Sequence, residues 1–195
     1  MEKDRIEFLL FLSTIVPTNS TCVEIGVDEG IFSKNIIDFL KPKQLFLVDP
    51  WEVGYDKNAK HKNYLNELKH IPTAYSVKES MDRIQEKLSK EIEKKQIILI
   101  RDFSYNAVST FPDNTFDFIY IDACHYYESV KADLNDYLPK LKENGLMCGH
   151  DYGGSYDNPS EEGAGFGVAK AVDEFVTQNN FKWVTKNSNN WALRR

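Results

Sequence analysis

CVEIGVDEGIFSKNIIDFLKPKQLFLVD, at residues 22–49, contains a short apolar run, a turn with two glycines, a helical pattern and a second apolar run. The runs at 22–26 and 44–49 are short and lack helical spacing, which favours strands. Between them the helical pattern extends from Ile31 to Leu40, and Pro42 closes it. A strand, a helix and a strand in this order indicate a βαβ unit with parallel strands.

The same alternation continues to the end of the chain. The first five apolar runs are continuous, as expected when helices cover both faces of a parallel sheet. The last two, Phe181–Thr185 and Trp191–Leu193, are joined by a turn too short for a crossover helix, so we expect them to pair antiparallel. The other predicted strands are 97–100, 118–122 and 145–149, and the other helices are marked by apolar stripes at 77–92, 130–141 and 168–176, with a short helix from Ser104.

These elements predict an α/β fold, a Rossmann-like seven-stranded and mostly parallel sheet with helices on both faces and an antiparallel last strand. The length of 195 residues suits one domain, residues 1–195. Within it we expect an N-terminal helix at 1–16, ended by Pro17, and two segments that flank the pocket, at 51–75 and 151–167.

Charge and cysteine content limit the classes of function. With 24 Lys and Arg against 30 Asp and Glu, the net charge is −6, which disfavours nucleic-acid binding because that requires a basic face. The apolar part of the N-terminal helix is too short to cross a bilayer. Cys22, Cys124 and Cys148 have no metal-binding spacing and indicate a reducing compartment. We expect a cytoplasmic protein with a small-molecule partner, without nucleic-acid or membrane partners, in an oligomeric state that the sequence leaves open.

The turn after the first strand restricts the ligand. Gly26 permits a tight turn, and Gly30 permits close approach of a ligand. A dinucleotide fingerprint needs a glycine where Asp28 stands, and Asp28 and Glu29 would repel a pyrophosphate. S-adenosylmethionine, with its sulfonium and ammonium groups, fits better. Asp49 ends the second strand, where a carboxylate binds ribose hydroxyls or, alternatively, forms a turn or caps a helix.

Two longer segments carry a family resemblance. VEIGVDEGIFSKNIIDFL with LFLVDPW resembles the first two motifs of class I S-adenosylmethionine-dependent methyltransferases, and FDFIYIDACHYYESVKADLNDYLPKLKENGLMCGHDY is similar to their fourth and fifth. It looks closest to a small-molecule branch with an Asp-x-x-His-x-Tyr strand end and a Gly-His-Asp-Tyr loop. The resemblance covers about residues 20–176, and it rests on the ordered set of motifs.

The resemblance implies a cofactor-binding role for residues at the ends of the first four strands. One of them, Phe103, is equally consistent with a core position. The residues are Glu24, Gly26 and Gly30 for the methionine part of the cofactor, Asp49 with Trp51 nearby for ribose, Asp102 and Phe103 for adenine, and Asp122 for the sulfonium.

Two catalytic arrangements remain open. His125, three residues after the end of the fourth strand, can act as a general base near neutral pH, or it caps the helix that follows. Alternatively Asp122, His150 and Asp151 bind a divalent metal ion that lowers the pKa of the acceptor, unless His150 only orients Asp151. Carboxylates favour Mg²⁺ or Ca²⁺, whereas an imidazole shifts the preference toward Mn²⁺, Fe²⁺ or Zn²⁺.

The fourth strand ends in Ile-Asp-Ala-Cys-His, which is unlike the Asn-Pro-Pro-Tyr of amino-directed nucleic-acid methyltransferases. We therefore expect methyl transfer to a hydroxyl of a small molecule such as a sugar or natural product. The alternatives are a non-catalytic domain that binds S-adenosylmethionine, an NAD-dependent oxidoreductase and an aminopropyltransferase.

Overall fold

The computed structural model describes residues 2–51, 77–153, 167–187 and 189–195. Of the two predicted pocket-flanking segments, only Trp51, residues 151–153 and Gly167 are among the described residues. The strands are β1 (Thr21–Ile25), β2 (Gln44–Asp49), β3 (Ile97–Arg101), β4 (Phe116–Ile121), β5 (Leu141–Gly149), β6 (Lys182–Lys186) and β7 (Trp191–Arg194). The helices are α1 (Glu2–Leu12), α2 (Ile31–Leu40), α3 (Val77–Lys87), α4 (Ser89–Glu93), α5 (Ser104–Ala107), α6 (Tyr127–Tyr137) and α7 (Val168–Asn179).

All seven strands form one sheet in the order β3-β2-β1-β4-β5-β7-β6. β1 pairs in parallel with β2 and β4, and the pairs β2–β3 and β4–β5 are also parallel. β7 runs antiparallel to both β5 and β6. The predicted Rossmann-like sheet with its antiparallel last strand is therefore confirmed. Strand order reverses between β1 and β4, which is where open α/β sheets form their ligand crevice.

Helices cover both faces of the sheet, as predicted. In β4, Phe118 and Tyr120 join a buried cluster with α1, α2 and α3, whereas Ile119 and Ile121 join a second cluster with α6 and α7. This division follows from the alternation of side chains along a strand. No helix in the described parts of the chain is long and apolar enough to cross a membrane.

The fifth strand begins earlier than the apolar run predicts. It starts at Leu141, which is buried and pairs with Phe116, instead of at Gly145. The intervening Glu143 and Asn144 are exposed, so they interrupt the apolar run without ending the strand.

The N-terminal helix ends at Leu12, before the predicted boundary at residue 16. The hydroxyls of Ser13 and Thr14 donate to the carbonyl oxygens of Leu10 and Phe11, at 2.7 Å each. Such local hydrogen bonds offer the backbone an alternative to continued helix. The predicted stripe at 77–92 is likewise divided into α3 and α4.

Candidate active site

The turn after β1 brings the ends of three strands together. The Gly26 N–H donates to the carbonyl oxygen of Val48 in β2 at 2.9 Å, and the Asp122 N–H donates to the carbonyl oxygen of Ile25 at 2.8 Å. Gly26 has φ +85°, and a Cβ there would lie 2.2 Å from the carbonyl oxygen of Asp122. Only glycine fits this position without moving the end of β4.

Asp49 holds the turn in shape. Its Oδ2 accepts the N–H groups of Val27 at 2.8 Å and Asp28 at 3.1 Å, and its Oδ1 accepts the N–H of Trp51 at 2.8 Å. Burial raises the pKa of Asp49, and these hydrogen bonds oppose the increase. A carboxylate has about four lone-pair sites, so three backbone contacts still leave room for a ribose hydroxyl. The turn-forming role is thus present in the structure, and the ribose role stays a prediction.

Trp51 follows the turn and is only 3% exposed. Its indole Nε1–H donates to the carbonyl oxygen of Asp28 at 3.0 Å, and its ring packs in the cluster with α1, α2 and α3. In the structure, Trp51 thus connects the end of β2 to the turn after β1.

Glu24 lies beneath the same turn and is only 1% exposed. The hydroxyl of Ser33 in α2 donates to Glu24 Oε2 at 2.5 Å. Burial raises the pKa of Glu24 to about 8, while the Ser33 hydrogen bond lowers it and Asp122 raises it further. The carboxyl group of Glu24 is therefore largely protonated at neutral pH, and Ser33 of α2 covers it. The contact of Glu24 with the methionine part of the cofactor stays a prediction.

Asp102 and Phe103 begin the segment after β3. Asp102 Oδ1 accepts the Phe103 N–H at 2.8 Å and the Asn106 side-chain amide at 2.9 Å, so it closes the first turn of α5. Phe103 is partly exposed and stacks on Tyr105, with ring centroids 5.4 Å apart. An aromatic pair at this edge is compatible with the predicted adenine site.

Asp122, His125 and Asp151 meet beyond the ends of β4 and β5. His125 Nε2 lies 3.4 Å from Asp122 Oδ1 and 3.1 Å from Asp151 Oδ2. One ligand atom from each residue falls within 4.8 Å of the other two. Asp151 has φ +56°, a conformation that asparagine and aspartate tolerate better than most residues. This backbone turn directs Asp151 toward His125.

His150, the third predicted metal ligand, is placed differently. Its side chain is buried at 4% exposure, and Nδ1 lies 3.0 Å from Asp151 Oδ2. Despite this short distance, neither ring nitrogen makes a hydrogen bond of suitable geometry in the described part of the chain, so His150 approaches Asp151 closely without a well-aligned hydrogen bond. The group with metal-ligand spacing contains His125 in place of His150. The residue predicted as the general base therefore lies beside two of the three predicted metal ligands.

The charges in this cluster compensate one another. Burial alone would raise the pKa of Asp151, but His125 and His150 beside it hold that pKa well below its usual range. Asp151 is therefore ionised at neutral pH, and it can stabilise positive charge on the neighbouring imidazoles.

Arg5 is a site residue that the sequence analysis missed. From α1 its Nη2 donates to Asp122 Oδ2 at 2.8 Å, across 117 positions of the sequence. No motif connects the two residues, and only their positions in the fold reveal the contact.

A family profile described as a methyltransferase domain matches residues 23–152, two thirds of the chain. No curated protein sequence gives a match. A solved Corynebacterium glutamicum protein has TM-score 0.68 and 12% identity over 100% of this chain and 81% of its own. The O-methyltransferase NovP has TM-score 0.64 and 18% identity over 99% and 78%. The N-methyltransferase NodS from Bradyrhizobium japonicum, solved with S-adenosyl-L-homocysteine, has TM-score 0.64 and 15% identity over 100% and 87%.

At these identities the solved structures establish the fold, while the profile establishes the family. The chain belongs to the methyltransferase-domain family and has the class I S-adenosylmethionine-dependent methyltransferase fold.

Proposed function

We propose that this protein transfers a methyl group to a hydroxyl of a small molecule such as a sugar or natural product. The observation that carries the proposal is the cluster of Asp122, His125 and Asp151 beside the Gly26 turn. A hydroxyl must lose its proton when it is methylated, and the imidazole in this cluster is a group that can accept a proton near neutral pH. When bound, S-adenosylmethionine supplies the methyl group from its sulfonium.

His125 acts as the general base in this proposal. The Nε2 side of its ring faces the carboxylates of Asp122 and Asp151. The other ring nitrogen, Nδ1, takes the hydroxyl proton, and the two carboxylates then stabilise the imidazolium that forms. Since methyl transfer is an in-line displacement, the main task of the remaining residues is to orient the two reactants.

The same cluster fits a divalent metal ion. Adjacent oxygen or nitrogen ligands around one ion lie roughly 3 Å apart, and His125 Nε2 lies 3.1 Å from Asp151 Oδ2 and 3.4 Å from Asp122 Oδ1. Two carboxylates with one imidazole suit Mn²⁺, Fe²⁺ or Zn²⁺ more than Ca²⁺. Such an ion would lower the pKa of the acceptor hydroxyl, and His125 would then be a ligand.

The proposal is tested in two stages. Calorimetry first measures binding of S-adenosylhomocysteine and of NAD. Tritiated S-adenosylmethionine is then offered with sugars, phenols and amines, to wild type and to His125→Ala. The exposed Asn135→Ala in α6 is the matched control.

We expect S-adenosylhomocysteine to bind and NAD not to bind. His125→Ala should lower transfer to hydroxyls by about 100- to 10,000-fold, with binding of S-adenosylhomocysteine unchanged. Transfer to amines alone would overturn the hydroxyl specificity. Binding without transfer to any acceptor would favour the non-catalytic alternative, and NAD binding alone would favour the oxidoreductase.

Cellular location and partners are proposed from the composition of the chain. On the charge and cysteine arguments, we propose a cytoplasmic protein that acts on a small molecule and binds neither nucleic acid nor membrane.

A further inference from the structure

The guanidinium group of Arg5 lies at the carboxyl edge of the sheet, although Arg5 belongs to the N-terminal helix. It pairs with Asp122 Oδ2 at 2.8 Å, and the two side chains are only 22% and 13% exposed. Burial alone would lower the pKa of Arg5, but Asp122, Tyr120 and Asp151 raise it. Arg5 therefore contributes a permanent positive charge to the candidate active site.

The position of this charge is fixed from two directions. The guanidinium carbon lies 5.2 Å from the ring centroid of Phe32, which in turn packs on Tyr120 with centroids 4.2 Å apart. The preceding residue, Asp4, is held separately: its side chain accepts a hydrogen bond from the side-chain amide of Asn189 at 3.1 Å. Buried residues of α1 also anchor the helix in the core. The contact between Arg5 and Asp122 is thus part of the packed structure.

The two oxygens of Asp122 face different groups. Oδ2 pairs with Arg5, whereas Oδ1 lies 3.4 Å from His125 Nε2. The backbone of Asp122 touches Gly26, where an added Cβ would come within 2.2 Å of its carbonyl oxygen. The Gly26 turn and Asp122 are therefore direct neighbours at the carboxyl edge of the sheet.

An unpaired carboxylate at this point would bind a sulfonium strongly. During methyl transfer the carbon–sulfur bond breaks and its electron pair stays on sulfur, so the sulfonium becomes a neutral thioether. Meanwhile the acceptor oxygen gains the methyl group and gives up its proton to the base. Strong stabilisation of the initial positive charge would therefore favour the bound reactant over the transition state and slow the reaction.

We propose that Arg5 neutralises Asp122 and thereby sets how strongly the site distinguishes the sulfonium of S-adenosylmethionine from the neutral thioether of S-adenosylhomocysteine. This inference rests on the proposed function. Arg5 is a specificity-determining residue for the cofactor, and it acts through the charge of Asp122.

The test compares the dissociation constants of the two ligands, measured by calorimetry in buffer with EDTA. Arg5→Gln removes the charge and retains a hydrogen-bond donor, Arg5→Met removes both, and Arg5→Lys retains the charge. Lys3→Met is the matched control, because Lys3 lies on the same helix and, among the described residues, forms its ion pair with the exposed Glu7. Thermal unfolding of each variant verifies that it is folded.

Arg5→Gln and Arg5→Met should raise affinity for S-adenosylmethionine relative to S-adenosylhomocysteine by about tenfold, as expected for one charge a few ångströms away in a partly exposed site. Arg5→Lys and Lys3→Met should retain the wild-type ratio. An unchanged ratio in a folded Arg5→Gln or Arg5→Met, or an altered ratio in Arg5→Lys, would overturn the inference. If wild type binds neither ligand, the proposed function itself fails.

Discussion

The backbone N–H of Gly167 donates to the carbonyl oxygen of His125 at 2.8 Å. Gly167 immediately precedes α7, and a Cβ at this position would lie 2.4 Å from the Cβ of Tyr127. From α7, Glu174 accepts a hydrogen bond from the Tyr127 hydroxyl at 2.5 Å. The beginning of α7 is therefore fastened to the segment that carries His125, and it helps to set where the imidazole lies.

Gly167→Ala should destabilise the protein by about 1–3 kcal/mol, the usual cost of overpacking, because the added methyl group meets the backbone of Tyr127. Urea denaturation measures the loss. Gly145→Ala is the comparison, since its Cβ would meet mainly the flexible side chain of Leu141, at 2.6 Å. If Gly145→Ala costs as much as Gly167→Ala, the backbone contact is not the cause.

Asp49→Ala should weaken cofactor binding and also lower stability. Loss of a hydrogen bond to a charged group costs about 1.5–3 kcal/mol, which predicts roughly 10- to 150-fold weaker binding. Stability falls because the three backbone N–H groups that donate to Asp49 would lose their acceptor. Asp49→Asn, which retains one acceptor oxygen, should be intermediate in unfolding experiments. Unchanged S-adenosylhomocysteine affinity in a folded Asp49→Ala would exclude the ribose role.

The sequence predicts the sheet well because burial on both faces leaves continuous apolar runs. β1, β2 and β3 are examples, and their boundaries differ from the prediction by no more than one residue. The location of the site is also predictable, since the ends of parallel strands meet at one edge. Asp122 and Asp151, which follow neighbouring strands, accordingly lie near each other.

The choice between His125 and His150 could not be made from the sequence. His125 stands four residues after the end of β4 and His150 directly follows β5, but the direction of each side chain depends on local backbone angles. The positive φ of Asp151 brings its carboxylate to His125, while His150 stays buried. The Arg5 contact is unpredictable for a different reason, because it depends on how α1 packs against the finished sheet.

Because Glu24 is buried with a raised pKa, we expect the free energy of unfolding to depend on pH. Burial raises the pKa of Glu24 from 4.5 to about 8. Between these values the folded chain retains a proton that the unfolded chain has lost, so the free energy of unfolding falls as pH rises toward 8. The slope is at most about 1.4 kcal/mol per pH unit. Glu24→Gln carries no titrating proton, and its stability should decline less over this range.

Urea denaturation at several pH values from 5 to 9 compares wild type with this variant. Asp133 has its pKa raised to about 7 by burial, so it contributes a slope of the same sign up to that pH. The double variant with Asp133→Asn should therefore show the smallest dependence. Parallel curves for wild type and Glu24→Gln would contradict the assignment of a buried, protonated Glu24.

The last prediction concerns the divalent metal ion. If Asp122, His125 and Asp151 hold an ion, a chelator should abolish methyl transfer, and added Mn²⁺ or Mg²⁺ should restore it. Asp151→Ala should also abolish transfer while leaving S-adenosylhomocysteine binding intact, because Asp151 lies beyond β5, whereas the predicted cofactor contacts lie at the ends of β1 to β4. Calorimetric titration with Mn²⁺ provides a second measurement that does not require the acceptor. Wild type should bind one ion and Asp151→Ala should bind none, with Lys3→Met as the folded control. Full activity in excess EDTA, without detectable Mn²⁺ binding, would exclude the ion. His125 would then be the general base, held between two carboxylates at the distances that the structure shows.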